Sequence, residues 1–450
     1  MEIRILSPTA ILGYGFPVQS LEYGVSLEPD VIAVDGGSTD PGPYYLGEGV
    51  PFVSAKAVER DLFYLVKAST EREIPLLIGS AGGAGAEPHV NWTLERLRRI
   101  TQKLGTRLKA GVIYTDVDKG ELIRKIESGT YNKPIPHSRL SPLKTETISN
   151  TKRIVAQVGV EPFTQLLKED VDVIVAGRSV DIAPFAALPW LKGMDKGLAV
   201  HLGKILECGA IAAEPGSGSD GMMGILRDNE FEVFPLNPSR RATMTSIAEH
   251  AMYERTDPFR EHIPGGYSDM SSVLYEETGD GRVVVKGSRW IPVQRRLVKL
   301  EGASFAGYRF IVIAGARDPD FLSRIDGLVS KTLESIRELV GDEGYSVHLR
   351  VYGRDGVMGD REPEPRITHE AGLVFEVLAD EKDKAKTVAG LVRSTLLHIG
   401  WEGRKTTAGN LAFPFSPSDI DAGRAYTWSV WHLIEEENFL EYSRMMLKEV

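Results

Sequence analysis

Short runs of apolar, mostly β-branched residues recur along the first half of the chain, each followed by a cluster of Gly, Asp, Ser and Thr. The runs fall at residues 3–6, 30–34, 74–78, 108–114 and 171–176. They show no alternation of polar and apolar positions, the pattern of strands buried on both faces of a parallel sheet. Between them apolar residues return every three or four positions, at Val53, Ala57, Val58, Leu62 and Val66 and again at Trp92, Leu94, Leu97, Ile100 and Leu104. That spacing predicts helices over 53–68 and 90–104. Strand, turn and helix in repetition predict an α/β domain over residues 1–215, a doubly wound and mostly parallel sheet. The stretch 129–149, rich in Pro, Ser and Thr and containing His137, reads as a long loop near the carboxyl edge of that sheet.

The pattern changes after the flexible segment PGSGSDG at 215–221. Strands are predicted at 231–234, 283–285, 296–300, 309–313, 346–351 and 372–377, and helices at 243–254, 321–340 and 382–397. Strands beside strands predict a second domain, 216–450, of α+β type with a mainly antiparallel sheet. It is expected to cover the site of the first domain or to make oligomer contacts. The aromatic, acidic tail from Tyr426 reads as a docking helix.

Composition narrows the function classes. The chain has 450 residues, with 53 Lys and Arg against 63 Asp and Glu, a net charge of −10. No basic excess exists to displace counterions from nucleic acid, so no nucleic-acid partner is expected. A single cysteine, Cys208, excludes a disulfide framework and any cysteine-based metal cluster. No uncharged apolar run reaches the ~18 residues a membrane span requires. No signal peptide is read at MEIRILSPTA. A cytoplasmic protein without a membrane partner is expected.

Ligands of open α/β sheets bind outside the carboxyl ends of the strands. The second run is followed by Asp35, Gly36, Gly37, Ser38, Thr39 and Asp40, and the third by Ser80, Gly82, Gly83, Gly85 and His89. The fourth is followed by Thr115, Asp116 and Asp118, and the fifth by Arg178, Ser179 and Asp181. Asp35, Asp40, Asp116, Asp181 and His89 are therefore the candidate catalytic residues, suited to acid–base work. Asp40 and Asp181 are the candidates for a divalent metal, because hard cations take several carboxylate oxygens. The competing role for any one aspartate is turn former or helix cap. Ser38, Thr39, Ser80, Gly82, Gly83, Gly85, Arg178 and Asn410 are the candidate substrate-binding residues. The run GSAGGAG before a helix suits an anion, although it matches neither a dinucleotide fingerprint nor a P-loop; tight packing of a strand–helix turn is the alternative. Arg178 can clamp a carboxylate or pair with one of the aspartates. Cys208, on HLGKILECGA, has apolar neighbours and no histidine at a recognisable spacing, and reads as a core residue. The unusual run RKTTAGNLAFPFSPSD at 404–419 cannot be a regular helix or central strand. The common hydrolase signatures and a nicotinamide fingerprint are absent.

SPTAILGYGF, VDGGSTDPGPYYLG, IGSAGGAGAEPHV, AGRSVDIAPFAALPW, HLGKILECGA, ERTDPFREHIPGGYSDMSSVLYE, VKLEGASFAGYRF and TAGNLAFPFSPSDI together resemble the acyclic terpene utilisation (AtuA) family. They span residues 7–420, nearly the whole chain. The resemblance implies the breakdown of acyclic isoprenoids, whose intermediates are CoA thioesters and branched carboxylic acids. It supplies no catalytic residues. Relatives that carry an extra small C-terminal domain or a neighbouring small protein imply a separate small partner here.

The leading expectation is an enzyme of carboxylate or acyl-CoA catabolism, of lyase, hydratase, isomerase or hydrolase type and without redox chemistry. Its partner is a small carboxylate or acyl-CoA, and the chain is expected to form homo-oligomers. The alternative is a non-catalytic binding or assembly subunit that needs a small partner protein to complete a site.

Overall fold

The structure is a computed structural model. It describes residues 1–450 except 129–131, 135–140, 295, 367, 406–407, 437 and 439. The chain forms two compact units, one of Met1–Ser304 with Trp428–Val450 and the other of Phe305–Thr427. The boundary expected between 215 and 216 thus falls inside the first unit.

The first unit is built on a ten-stranded mixed sheet whose five central strands are parallel. Glu2–Ser7, Val31–Asp35 and Leu76–Gly79 lie side by side in chain order; Val173–Ala176 comes next, followed by Lys109–Tyr114. Met222–Arg227 pairs antiparallel with Glu2–Ser7 and extends one side through Glu230–Pro235, Val283–Lys286 and Leu274–Glu277. Arg444–Glu449 closes the other side, antiparallel to Lys109–Tyr114.

Alternate residues of the central strands feed two cores, which is why these strands are apolar throughout. Ile32, Val34, Leu76, Ile78 and Val175 pack under helices Ala55–Arg72 and Glu87–Leu104 through Leu62, Val66, Leu94 and Leu97. Ile5, Ala33, Leu77 and Ile174 face the opposite way, against Phe163, Phe185, Leu198 and Ile205 of helices Glu161–Leu167, Ala183–Leu191 and Lys196–Leu206. Each fully buried Leu or Phe among them contributes roughly 1.5–3 kcal/mol. Ser54 and Asp195 cap two of these helices, accepting from the N–H groups of Ala57 and Leu198. The expected α/β architecture with helices on both faces is therefore present.

In the second unit, residues 308–316 of the strand Leu297–Ala316 pair antiparallel with Ala371–Ala379, which pairs with Tyr345–Tyr352. Leu373, Phe375 and Val377 point at helices Ile325–Val340 and Lys382–His398, so one face is apolar. This is the antiparallel α+β arrangement the sequence implies.

Three stretches differ from expectation. The runs 296–300 and 309–313 belong to one 20-residue strand, whose small residues in EGASFAG hide its continuity. The tail forms strands, Asp419–Glu435 and Arg444–Glu449, in place of a helix. Burial at Val430, His432 and Ile434 has the period of two that defines a strand. In the stretch read as a loop, Asn132–Pro134 is a short strand and Thr145–Asn150 a helix. His137 lies outside the described residues.

Candidate active site

Register aligns the carboxyl ends of the parallel strands. Asp35 sits opposite Gly79, and Ala176 opposite Ile113. The turns that follow therefore meet at one edge, as the fold logic requires. Asp35 ends its strand with its side chain facing in, 5% exposed. Burial raises its pKa well above the ordinary carboxylate value, and the nearby Asp181 charge raises it further. The Arg178 charge and the Gly37 N–H oppose this. Its Oδ1 has no hydrogen-bond partner.

Ser179 is fully buried, and its Oγ is likewise without a partner. Both atoms border Gly79. A Cβ placed on Gly79 stands 3.2 Å from Ser179 Oγ and 3.3 Å from Asp35 Oδ1. Gly79 thus packs tightly against two unsatisfied oxygens, with Pro184 Cγ 3.1 Å from the same Cβ position. Buried polar atoms are nearly always paired, so this orphan pair singles the edge out as a candidate site.

Arg178 organises the same edge. Its Nε donates to Glu301 Oε2 at 2.9 Å, and its Nη1 donates to Asp181 Oδ1 at 2.8 Å, Ser179 O at 2.9 Å and Ser80 Oγ at 3.2 Å. Its backbone N–H donates to Thr115 Oγ1. Glu301 is completely buried and is held down at about 2 by Arg178 and by Lys299, whose Nζ lies 2.6 Å from Oε1. Through Nε and Nη1 Arg178 is engaged by the protein and positions Asp181.

The helix Lys196–Leu206 adds a second charged group. Lys204 Nζ lies 2.5 Å from Glu207 Oε1, both side chains buried. Burial pushes Glu207 up to about 8 against the Lys204 charge, with Asp181 adding to the rise. The Glu207 charge also raises Asp35, so the two clusters sense one another. Cys208 stands beside them, its thiol pushed up to about 12 by burial and by Glu207. It is a protonated, unreactive thiol.

Most of the remaining sequence candidates have structural partners. The helix N-terminus after GSAGGAG meets an anion from the protein itself, because Asp116 Oδ2 accepts from Glu87 N at 2.7 Å. Burial lifts Asp116 to about 6. The glycines let turns pack on one another. A Cβ on Gly85 meets Arg178 N at 2.2 Å, and one on Gly83 meets the Phe52 ring at 2.5 Å. Gly82 packs on His89. His89 Nε2 contacts the carbonyls of Tyr45 and Val50 at 3.2 and 3.0 Å, which makes it a donor that pins that loop. Burial lowers it to about 4, so it is the neutral imidazole. Ser38 Oγ accepts from Asp40 N in a local turn, and Asp40 is exposed. Thr39 is buried with its Oγ1 unpartnered, a third orphan oxygen from these turns. Asp118 caps the helix Lys119–Glu127. Asn410 belongs to the second unit, where its amide donates to the carbonyls of Leu396 and Ile399.

The donor set does not fit a divalent metal. Among the described residues no group of three or more His, Cys, Asp or Glu side chains is placed to hold one. Arg178 supplies the positive charge between Asp181 and Glu301 instead. No described helix is long and apolar enough to cross a membrane. A cavity of about 710 Å³ opens elsewhere, lined by Pro17, Tyr23, Phe234, Arg240 and Arg282 among others. Its arginines are taken, Arg240 by Asp220 and Arg282 by Glu232 and Asp280.

Sequence reasoning singled out Asp35, Arg178, Ser179 and Asp181 but missed Glu301, Lys299 and the role of Glu207. Glu301 lies in the strand read as a structural element of the second domain, and nothing local marks its tie to Arg178.

Comparison with known proteins gives one match. The model of the family described as "Acyclic terpene utilisation family protein AtuA" matches residues 56–218 and 237–416. No curated protein and no solved structure matches the chain. The matched segments include Gly79, Ser179, Asp181, Glu207 and Glu301, and Asp35 lies ahead of them.

Proposed function

The chain belongs to the acyclic terpene utilisation family AtuA, and from that premise we propose that it is an enzyme performing acid–base chemistry on a branched carboxylic acid or its CoA thioester. The observation that carries this reading is the buried Asp35 carboxyl, unpartnered at Oδ1 beside Ser179 Oγ and raised by Asp181. Two carboxyl groups in different surroundings divide the roles of acid and base. Asp35, with burial favouring its proton, is the acid. Asp181, tied to Arg178 at 2.8 Å, is the carboxylate base.

The reaction class that uses both is reversible dehydration of a hydroxy acid or hydroxyacyl group. Asp181 takes the proton from the carbon beside the carbonyl. The bond to the hydroxyl breaks as Asp35 gives that oxygen its proton, so water leaves and a carbon–carbon double bond forms. Ser179 Oγ and Thr39 Oγ1 orient the departing hydroxyl. The family's association with acyclic terpenes favours branched substrates.

Mass spectrometry in D₂O tests the reading. The chain is incubated with 3-hydroxy-3-methylbutanoate and its CoA thioester, and deuterium is followed at the carbon beside the carbonyl. Exchange by the native chain that falls at least ~100-fold in Asp35→Asn and Asp181→Asn supports it, the range general acid–base groups supply. No exchange with either compound, or exchange untouched by both substitutions, refutes it.

A further inference from the structure

We infer that Arg255 is a receptor for a substrate carboxylate. Arg255 follows the helix Met244–Met252 and precedes the strand Arg260–Ile263. Its side chain is 10% exposed. Nε, Nη1 and Nη2 are all buried, and none has a hydrogen-bond partner. The other arginines with buried orphan nitrogens, Arg96, Arg309, Arg393 and Arg404, leave only Nε unpartnered. The donors of Nε and Nη1, left without an acceptor, are costly to bury. Among the described residues its one ion-pair contact is Glu261, with Nη2 2.7 Å from Oε2. A planar anion with two oxygens would satisfy the guanidinium fork bidentately.

A second orphan supports the same site. His250 Nε2 is buried and has no partner. Its charged form is opposed by burial and by the Lys204 and Arg255 charges, so a neutral ring nitrogen stands ready for a hydroxyl or carbonyl. The ring packs against Tyr253, with centroids 4.9 Å apart.

A carboxylate brings one charge to the free donors of Arg255, whereas a phosphate dianion brings a second charge against the Glu261 carboxylate. Burial raises Glu261, the Arg255 and Lys204 charges lower it, and the Asp181 charge raises it. The substrate therefore bears a free carboxylate. The placement of its reacting end rests on the acid–base reading of Asp35 and Asp181; the anion site itself does not.

Calorimetric titration with 3-hydroxy-3-methylbutanoate and, separately, with inorganic phosphate tests the proposal without requiring turnover. The native chain is expected to bind the carboxylate in preference to phosphate. Arg255→Gln should weaken binding by about tenfold or more, Arg255→Lys less, because the charge stays and the fork is lost. Glu261→Gln removes the internal competitor and should tighten carboxylate binding, a gain that a purely structural ion pair would not give. If Arg255→Gln does not fold, the double variant Arg255→Gln/Glu261→Gln removes both buried charges together and is expected to fold without binding. Native affinity in the double variant, no binding to the native chain, or tighter binding of phosphate would each overturn the assignment. Binding lost in these variants but kept in Asp35→Asn separates this site from the acid–base pair.

Discussion

Arg178 Nε and Glu301 Oε2 lie 2.9 Å apart, an ion pair between side chains 123 residues apart in the chain and buried at both ends. Through this pair the strand that carries Glu301 fixes the guanidinium that in turn holds Asp181. Glu301→Gln should therefore destabilise the protein by about 3–5 kcal/mol, because it leaves Arg178 with part of its buried charge uncompensated. Urea unfolding of the variant measures this. A cost below about 1 kcal/mol would mean that water reaches the pair.

Gly85 and Gly42 provide a matched contrast. Both have positive φ, +66° and +105°, but a Cβ on Gly85 would stand 2.2 Å from Arg178 N while nothing lies within 4 Å of one on Gly42. Gly42→Ala should cost only the ~1–2 kcal/mol of the backbone conformation. Gly85→Ala adds overpacking of roughly 1–3 kcal/mol and displaces the turn that carries Arg178. Thermal unfolding of the two variants should separate them clearly.

Acid should act on the fold in two opposing senses. Burial lowers His89 to about 4, His201 to about 3 and His250 to about 4. Below the ordinary value of ~6.5 the unfolded chain takes up these protons while the native chain does not, so the contribution of these three groups to stability falls as pH drops from ~6.5 toward 4. Asp35, Asp116 at about 6 and Glu207 at about 8 are raised and work in the opposite sense, since their contributions are present at low pH and are lost as pH rises through the raised values. Asp116→Asn should therefore lose more stability, or gain less, than the native chain between pH 7 and pH 4.5. Unfolding midpoints of both over that range give the two slopes, and equal slopes would contradict the raised Asp116.

Cys208 should resist alkylation. With its thiol pushed up to about 12, almost no thiolate exists at pH 7. Iodoacetamide should modify the native chain far more slowly than the urea-unfolded chain, and Cys208→Ala should retain carbon–deuterium exchange. Rapid labelling of the folded protein would show that Cys208 is not held as described.

The parallel core was legible in the sequence because each of its strands is a continuous apolar run, and because Asp35, Ser179 and Asp181 follow such runs directly. The insertion of Val173–Ala176 between Leu76–Gly79 and Lys109–Tyr114 was not, since strand order is decided by pairing and leaves no mark in a run of VIVA. The tail misled because Tyr426, Trp428 and Trp431 suit either an amphipathic helix or a strand over so short a stretch. Glu301 and Arg255 were missed for a different reason. Glu301 draws its meaning from Arg178, 123 residues away in the chain, and Arg255 from nitrogens that burial leaves unpartnered, and neither leaves a periodicity to read.

The account turns on the state of one carboxyl group. Difference infrared spectra of the native chain against Asp35→Asn at neutral pH, with Asp181→Asn as a second reference, report whether Asp35 carries its proton. The predicted result is a protonated-carboxyl band in the native chain that vanishes in Asp35→Asn and survives in Asp181→Asn. A carboxylate band assigned to Asp35 at neutral pH would contradict the account, for an ionised Asp35 cannot act as the acid.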